Sequence, residues 1–490
     1  MDGRRSLTSR RRAALVLLGA TTALTACTSA VSGHGSPVPS ASSSRPAPST
    51  SASSTPPGPP STPAAIACPT AYAAPDPNRP RMSLDFVIAP GHRTVRGTEH
   101  ISFTPDRPIT ELVFRLTANT APTVAEGNRI VVTAARADHG AKAYRFSRAN
   151  AAPSTQGGLL RIPFGASVPA GTTVTADLAF TLTLGTDSFD RFGQAGPYAY
   201  FASAQPLLSW QRGFGWHAED LINFPAESAT SEAMAVDLAV RAPAADTVIM
   251  SGDPAVPPAG GTMRRWVSHL ASARDVSVAA GPFQVADVNV GSTRLRVGAP
   301  TVGLRDALVP EFERALRELS ARFGPFPFPS LSVARLPAQG GGIEYPSSIL
   351  MLDGSRLVAV HETAHQWFYG MVGDSQALHP WLDEAFAEYA EQLVDRDAPA
   401  DDALNAPGPV DASTESYGHD VDRYYFTTYN KGAAALNAAR AVAGPAKWDA
   451  ALRCYVAANA WRIVVPADFA RAIAAFPGAI TILREAGALR

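Results

Sequence analysis

"VHETAHQWFYG" runs from Val360 to Gly370 and places two histidines four residues apart, with a glutamate directly after the first. Four residues make slightly more than one helical turn, so on a helix His361 and His365 project from one face. There two imidazoles can hold one zinc ion at about 2.0–2.1 Å each. Glu362 points to the side of that pair, where its carboxylate can take a proton from water activated by the ion. A catalytic zinc takes three protein ligands and keeps a fourth position open. Glu384, 19 positions after His365 in "WLDEAFAEYAE", is the candidate third ligand. Between them Gly370, Gly373 and Pro380 interrupt the first helix and let the chain double back. A second helix starting near Trp381 then offers Glu384 to the ion. Glu388, one turn later on the same face, can hydrogen-bond the free nitrogen of a liganding histidine.

The run "HETAHQWFYGMVGD…PWLDEAFAEY" resembles the gluzincin aminopeptidases of the aminopeptidase N and leukotriene hydrolase type. Those proteins carry HExxH and then a liganding Glu within a W-L-N-E-G-F-like segment. Trp367 and Gly370 fall where the family has Trp and Gly, while Asp383 and Ala385 depart from its Asn and Gly. "GGGIEYP", Gly340–Pro346, resembles the family's G-x-M-E-N loop, with Ile343 in place of Met and Tyr345 in place of Asn. The resemblance implies an edge strand in which Gly341 and Gly342 line the substrate and Glu344 grips its free α-amine. A carboxylate fixed near the metal selects a cationic N-terminus through charge-assisted hydrogen bonds, so cleavage stops after one residue. "YNKGAAAL", Tyr429–Leu436, resembles the Y-x-K-G segment and implies Tyr429 as hydrogen-bond donor to the oxyanion. Tyr424 and Tyr425 are neighbours without the K-G context. "SAQPLLSW" holds Gln205 but gives no clear match to the family's glutamine motif, and no role is assigned to it. His217, His269, His379 and His419 lack partner spacing and read as structural or surface residues.

Outward from this region the chain has two textures. Between Tyr72 and Gly298 the pattern is short, alternating and β-branched, as in "RMSLDFVIA" and "TVTADLAFTLTL", with Gly, Pro and Asp turns between segments. From Thr301, "LRDALVPEFERALRELSARFG" sets Leu308, Phe312, Leu316 and Leu319 on one stripe and stops at Gly324, an amphipathic helix. The expected fold class is α+β: an N-terminal β-sandwich or saddle-like domain over 68–298, then a mainly helical domain over 299–490. The resemblance makes that second domain thermolysin-like. It also implies a short family member without the large C-terminal helical domain, and therefore a more open site.

The first residues read as targeting. A basic start with "SRRR" at Ser9–Arg12 precedes the apolar "AALVLLGATTALTA", too short to span a bilayer and shaped like a signal-peptide core. It ends in "LTAC", Leu24–Cys27, which resembles a bacterial lipobox with Cys27 as the lipidated residue. Residues 1–26 are then a lipoprotein signal, and 27–67, rich in Ser, Thr and Pro, a tether that buries too little to fold. With Cys27 lipidated, Cys68 and Cys454 remain as a candidate disulfide in an oxidising compartment. The 42 basic and 43 acidic residues, for a net charge of -1, give no polycationic surface and argue against nucleic acid as a partner. The expectation is a monomeric lipoprotein on the outer face of a bacterial membrane. It carries one zinc ion and acts as an aminopeptidase on peptides, with Cys27 its sole membrane attachment. Two alternatives stay open: a zinc endopeptidase or other small-substrate hydrolase on the same residues, and an inactive surface-binding lipoprotein.

Overall fold

The computed structural model describes residues 68–186, 191–222, 230–258, 260–338, 340–352, 354–397, 399 and 402–490. The signal segment, Cys27 and the tether lie outside them. The fold is α+β, as the patterning predicts. Strict alternation in Arg81–Ile88 turns Met82, Leu84, Phe86 and Ile88 inward. The same period builds a six-stranded sheet in the order Met263–Ala273, Met234–Pro243, Arg81–Ile88, Thr94–Phe103, Val174–Thr183, Arg129–Ala137. Its inner face shares one core with a four-stranded sheet containing Ile109–Arg115 and Leu159–Val168; Phe86, Phe114, Ile162 and Leu178 all belong to it. The outer face carries an open groove of about 790 Å³ lined by residues such as Ser83, Asp85, His100, Asp177 and Asp237. None of the metal-site candidates lines that groove, so it is not where the expected chemistry happens.

A five-stranded sheet carries the rest, ordered Gln284–Val290, Thr293–Ala299, Ser330–Arg335, Ser348–Met351, Gly342–Tyr345. Its first two strands fall within the stretch expected to belong to the β domain. Alternation shows which side of a strand is buried but not which sheet it joins. The helix Val302–Phe323 covers one face of this sheet, burying Leu308, Phe312, Leu316 and Leu319, and ends at Gly324 with φ 109°. Gly342–Tyr345 is the edge strand and, among the described residues, pairs only with Ser348–Met351.

The start of the described chain packs on the helical region, not on the β-sheets. Cys68 and Cys454 form a disulfide with Cα atoms 4.8 Å apart. Ala73 N–H donates to Ala457 O at 2.9 Å. The Tyr72 hydroxyl donates to Pro325 O and accepts from Trp367 Nε1 at 3.2 Å. Among the described residues no helix is long and apolar enough to cross a membrane.

Candidate metal centre

Ser355 opens the first metal helix, Arg356–Ala364, by accepting from Val358 N–H at 3.2 Å. His361 and His365 stand one turn apart with ring centroids 4.9 Å from each other. The helix ends at His365, whose Nδ1 lies 3.2 Å from Phe368 O. That contact makes Nδ1 the donor and leaves Nε2 a free lone pair for a ligand. The chain then turns back through Tyr369, held at φ 102°. Gly370 follows, where a β-carbon would sit 2.9 Å from Gln366 O.

The second metal helix starts later than Trp381. Pro380–Leu382 forms a 3₁₀ turn, and the α-helix proper is Glu384–Asp395. Asp383 caps it, its Oδ1 accepting from Glu384 N–H at 2.7 Å. Glu384 thereby occupies the first helical position, where the helix dipole favours a carboxylate. Its Oε2 lies 3.4 Å from His361 Nε2 and 3.3 Å from His365 Nε2. Two atoms bound at about 2.0–2.1 Å to one tetrahedral centre stand about 3.4 Å apart, so the donor set fits a zinc ion.

The surrounding charges agree with that use for Glu384 and His365. Burial alone would raise the Glu384 carboxyl, but the two imidazoles hold it down to about 2, so it stays ionised. Burial lowers the His365 imidazole, which stays neutral as a ligand must. For His361 burial also pulls downward, but the Glu384 and Glu391 carboxylates beside it outweigh that and carry the ring upward. The Glu391 contact amends the expectation for Glu388. His361 Nδ1 lies 3.6 Å from Glu391 Oε2 and 3.8 Å from Glu388 Oε2, while Glu388 Oε1 accepts from Gln392. Glu384, Glu388 and Glu391 follow i, i+4, i+7 spacing, a face the sequence already displayed.

The remaining candidates converge on the same place. Glu362 is buried against Gly342, where an added β-carbon would fall 2.4 Å from Glu362 Cγ. Glu344, on the edge strand, offers an oxygen within 4.8 Å of ligand atoms of His365 and Asp383. Tyr429 sits in a π-helix, Tyr425–Lys431, and its ring stacks on His361 at 5.8 Å and 9°. Burial first, and the charge of Glu384 second, keep its phenol protonated far above the ordinary range. The K-G pair also has local reasons. Lys431 Nζ donates to Ala406 O at 2.8 Å and Gly408 O at 2.7 Å, and a β-carbon on Gly432 would meet Ala385 Cβ at 2.4 Å.

Gln205 is engaged elsewhere, donating to Asp275 Oδ1 at 2.8 Å. His217 lies between Glu219 and Gln211, His269 pairs with Asp237, and His379 with Asp411. Gln366 and Arg274 give no sequence signal but shape the site's frame. Arg274, from the β region, is buried and donates to Tyr369 O at 2.6 Å and Ser231 O at 2.9 Å.

Residues 347–483 match the Peptidase family M1 domain. Over that stretch the chain is similar to the M1 peptidases. Endoplasmic reticulum aminopeptidase 1 of Homo sapiens is 29% identical over 150 residues, covering 24% of this chain and 16% of that protein. Aminopeptidase M1-C of Oryza sativa subsp. japonica is 24% identical over 166 residues, covering 27% and 19%. The match thus spans less than a fifth of either relative. The M1 zinc metallopeptidase of Deinococcus radiodurans superposes with a TM-score of 0.59 at 21% identity, over 84% of this chain and 94% of that one. A mutant of that protein bound to a Tyr-Ser-Ala substrate gives 0.60 at 20%, over 83% and 94%. At such identities the likeness is one of fold.

Proposed function

We propose that this protein is a zinc-dependent aminopeptidase of the M1 type, anchored outside the cytoplasm through Cys27, that removes N-terminal residues from peptides. His361, His365 and Glu384 would hold the ion, which when bound acts as a Lewis acid toward water and the scissile carbonyl. Glu362 takes the proton of the attacking water on its carboxylate and returns it to the leaving amine. Gly342, lacking a side chain, leaves that carboxylate room beside the edge strand. Tyr429, still protonated, donates its O–H to the oxyanion that develops on the carbonyl. Glu344 receives the substrate ammonium, which fixes the cut one residue from the end.

The observation that carries this reading is Glu384 Oε2 at 3.3 and 3.4 Å from the two imidazole nitrogens. The tripeptide in the Deinococcus relative's structure supports peptides as the substrate class. The Cys68–Cys454 disulfide supports an oxidising compartment. The test is release of fluorophore from aminoacyl-aminomethylcoumarin substrates with free and acetylated N-termini. Free substrates should be cut, acetylated ones spared, and Glu362→Gln should lose about 10²–10⁴-fold in kcat. Equal cleavage of both substrates would make the protein an endopeptidase instead. Labelling with a palmitate analogue, abolished in Cys27→Ala, checks the anchor.

A further inference from the structure

The edge strand Gly342–Tyr345 is laddered on one side only, with Glu344 opposite Ile349. On its other side no strand among the described residues sets its height, so other contacts must hold Glu344 at a fixed distance from the metal ligands. The turn after it consists of Pro346 and Ser347, and Ser347 is held at φ 63°, a left-handed conformation that a non-glycine residue adopts only under constraint. Gln366 supplies that constraint. Its Oε1 accepts from Ser347 N–H at 2.8 Å, and its Nε2 donates to Tyr345 O at 3.1 Å. One buried amide therefore grips both ends of the turn. Ser347 is tied on the far side as well, its Oγ donating to Ser330 O at 2.6 Å. Gln366 directly follows His365, so the segment that presents a metal ligand also carries the clamp.

We infer that Gln366 is a positioning residue that sets the height of the edge strand, and thereby of Glu344, against the metal ligands, and so governs preference for a free N-terminal amine. This rests on the aminopeptidase reading above. The chemistry of the contact is specific to an amide, because one partner is a donor and the other an acceptor. A methionine fills the same volume and makes neither bond. A glutamate keeps the acceptor for Ser347 but sets a second acceptor against the Tyr345 carbonyl.

The experiment compares the full-length protein with Gln366→Met and Gln366→Glu on an aminoacyl-coumarin substrate and its acetylated counterpart, with zinc content measured for each. In Gln366→Met the KM for the free substrate should rise about tenfold while kcat falls less than about threefold and zinc stays stoichiometric. Gln366→Glu should fall between the two. Unchanged KM and unchanged free-over-acetylated preference in both variants would overturn the inference. So would loss of zinc together with kcat, which would assign Gln366 to the metal helix alone. If Gln366→Met does not fold, Gln366→Glu decides by the same two readouts. Failure of the unaltered protein to distinguish the two substrates would instead sink the aminopeptidase reading, so the two failures are separable.

Discussion

Gly342 has no room for a side chain, because a β-carbon there would lie 2.4 Å from Glu362 Cγ and 2.7 Å from Oε1. Gly342→Ala should displace the Glu362 carboxylate and lower kcat by about 10–100-fold, with a smaller effect on KM. Steady-state kinetics check this, and an unchanged kcat would mean that Glu362 is not the proton carrier. A second residue-level conflict lies far from the metal. Glu99 is buried between core strands and neither carboxylate oxygen has a hydrogen-bond partner among the described residues. Burial first, and the charge of Asp275 second, raise its pKa well above the ordinary carboxylate value. The sign follows from linkage: stability is intact below the unfolded carboxylate range near pH 4 and is lost as pH rises toward the raised folded value. Glu99→Gln removes the ionisation and keeps the shape. It should match the parent near pH 4 and exceed it at pH 8 by about 1–2 kcal/mol. Urea unfolding at the two pH values measures the gap, and coincident curves at both would show that Glu99 carries no such penalty.

At the scale of elements, two helices meet where Gly432 faces Ala385, with only 2.4 Å available between β-carbons. Ala385 follows ligand Glu384, so Gly432→Ala should push the helix Glu384–Asp395 off the histidines. The expected result is about 1–3 kcal/mol of lost stability and weaker zinc retention under chelator. Adding Ala385→Gly should restore both, since it returns the same volume to the crossing. Failure of the double variant to recover would mean that the contact does not position Glu384. The same elements show what the sequence could disclose. His361 and His365 are legible because the helix period alone places them together, and Glu384 because breaker residues force the chain back within a short span. Glu391 shares that periodic face and was open to the same reading. The clamp of Gln366 on Tyr345 and Ser347 was not, since hydrogen bonds between segments about 20 residues apart leave no periodic trace. Nor was the assignment of Gln284–Ala299 to the second sheet, because two strands with equal alternation differ only in their neighbours.

For the whole molecule, two features hold the β region and the helical region as one body. Arg274 reaches from the first into the turns after the metal helix, donating to Tyr369 O and, at 3.4 Å, to Met371 O, and Gly373 leaves room for its guanidinium. The other is the strap from Cys68 to Tyr72, which crosses the helical region before the chain enters its first strand. The disulfide fixes the strap to the helix Pro445–Ala458, and Tyr72 bears on Trp367, two residues past His365. The bridge closes a loop with a sequence separation of 386, so loop entropy alone would give about 6 kcal/mol, while native bridges typically deliver about 2–5. If the strap detaches without the sheets opening, the lower end of that range is expected here, seen as a Tm roughly 2–3 °C lower in Cys68→Ser/Cys454→Ser. Hydrogen exchange should show the loss confined first to the strap and the Trp367 segment, with the six-stranded sheet still protected. Uniform loss of protection across that sheet would mean instead that the bridge stabilises the molecule globally, and that the strap is part of one cooperative unit with the β core.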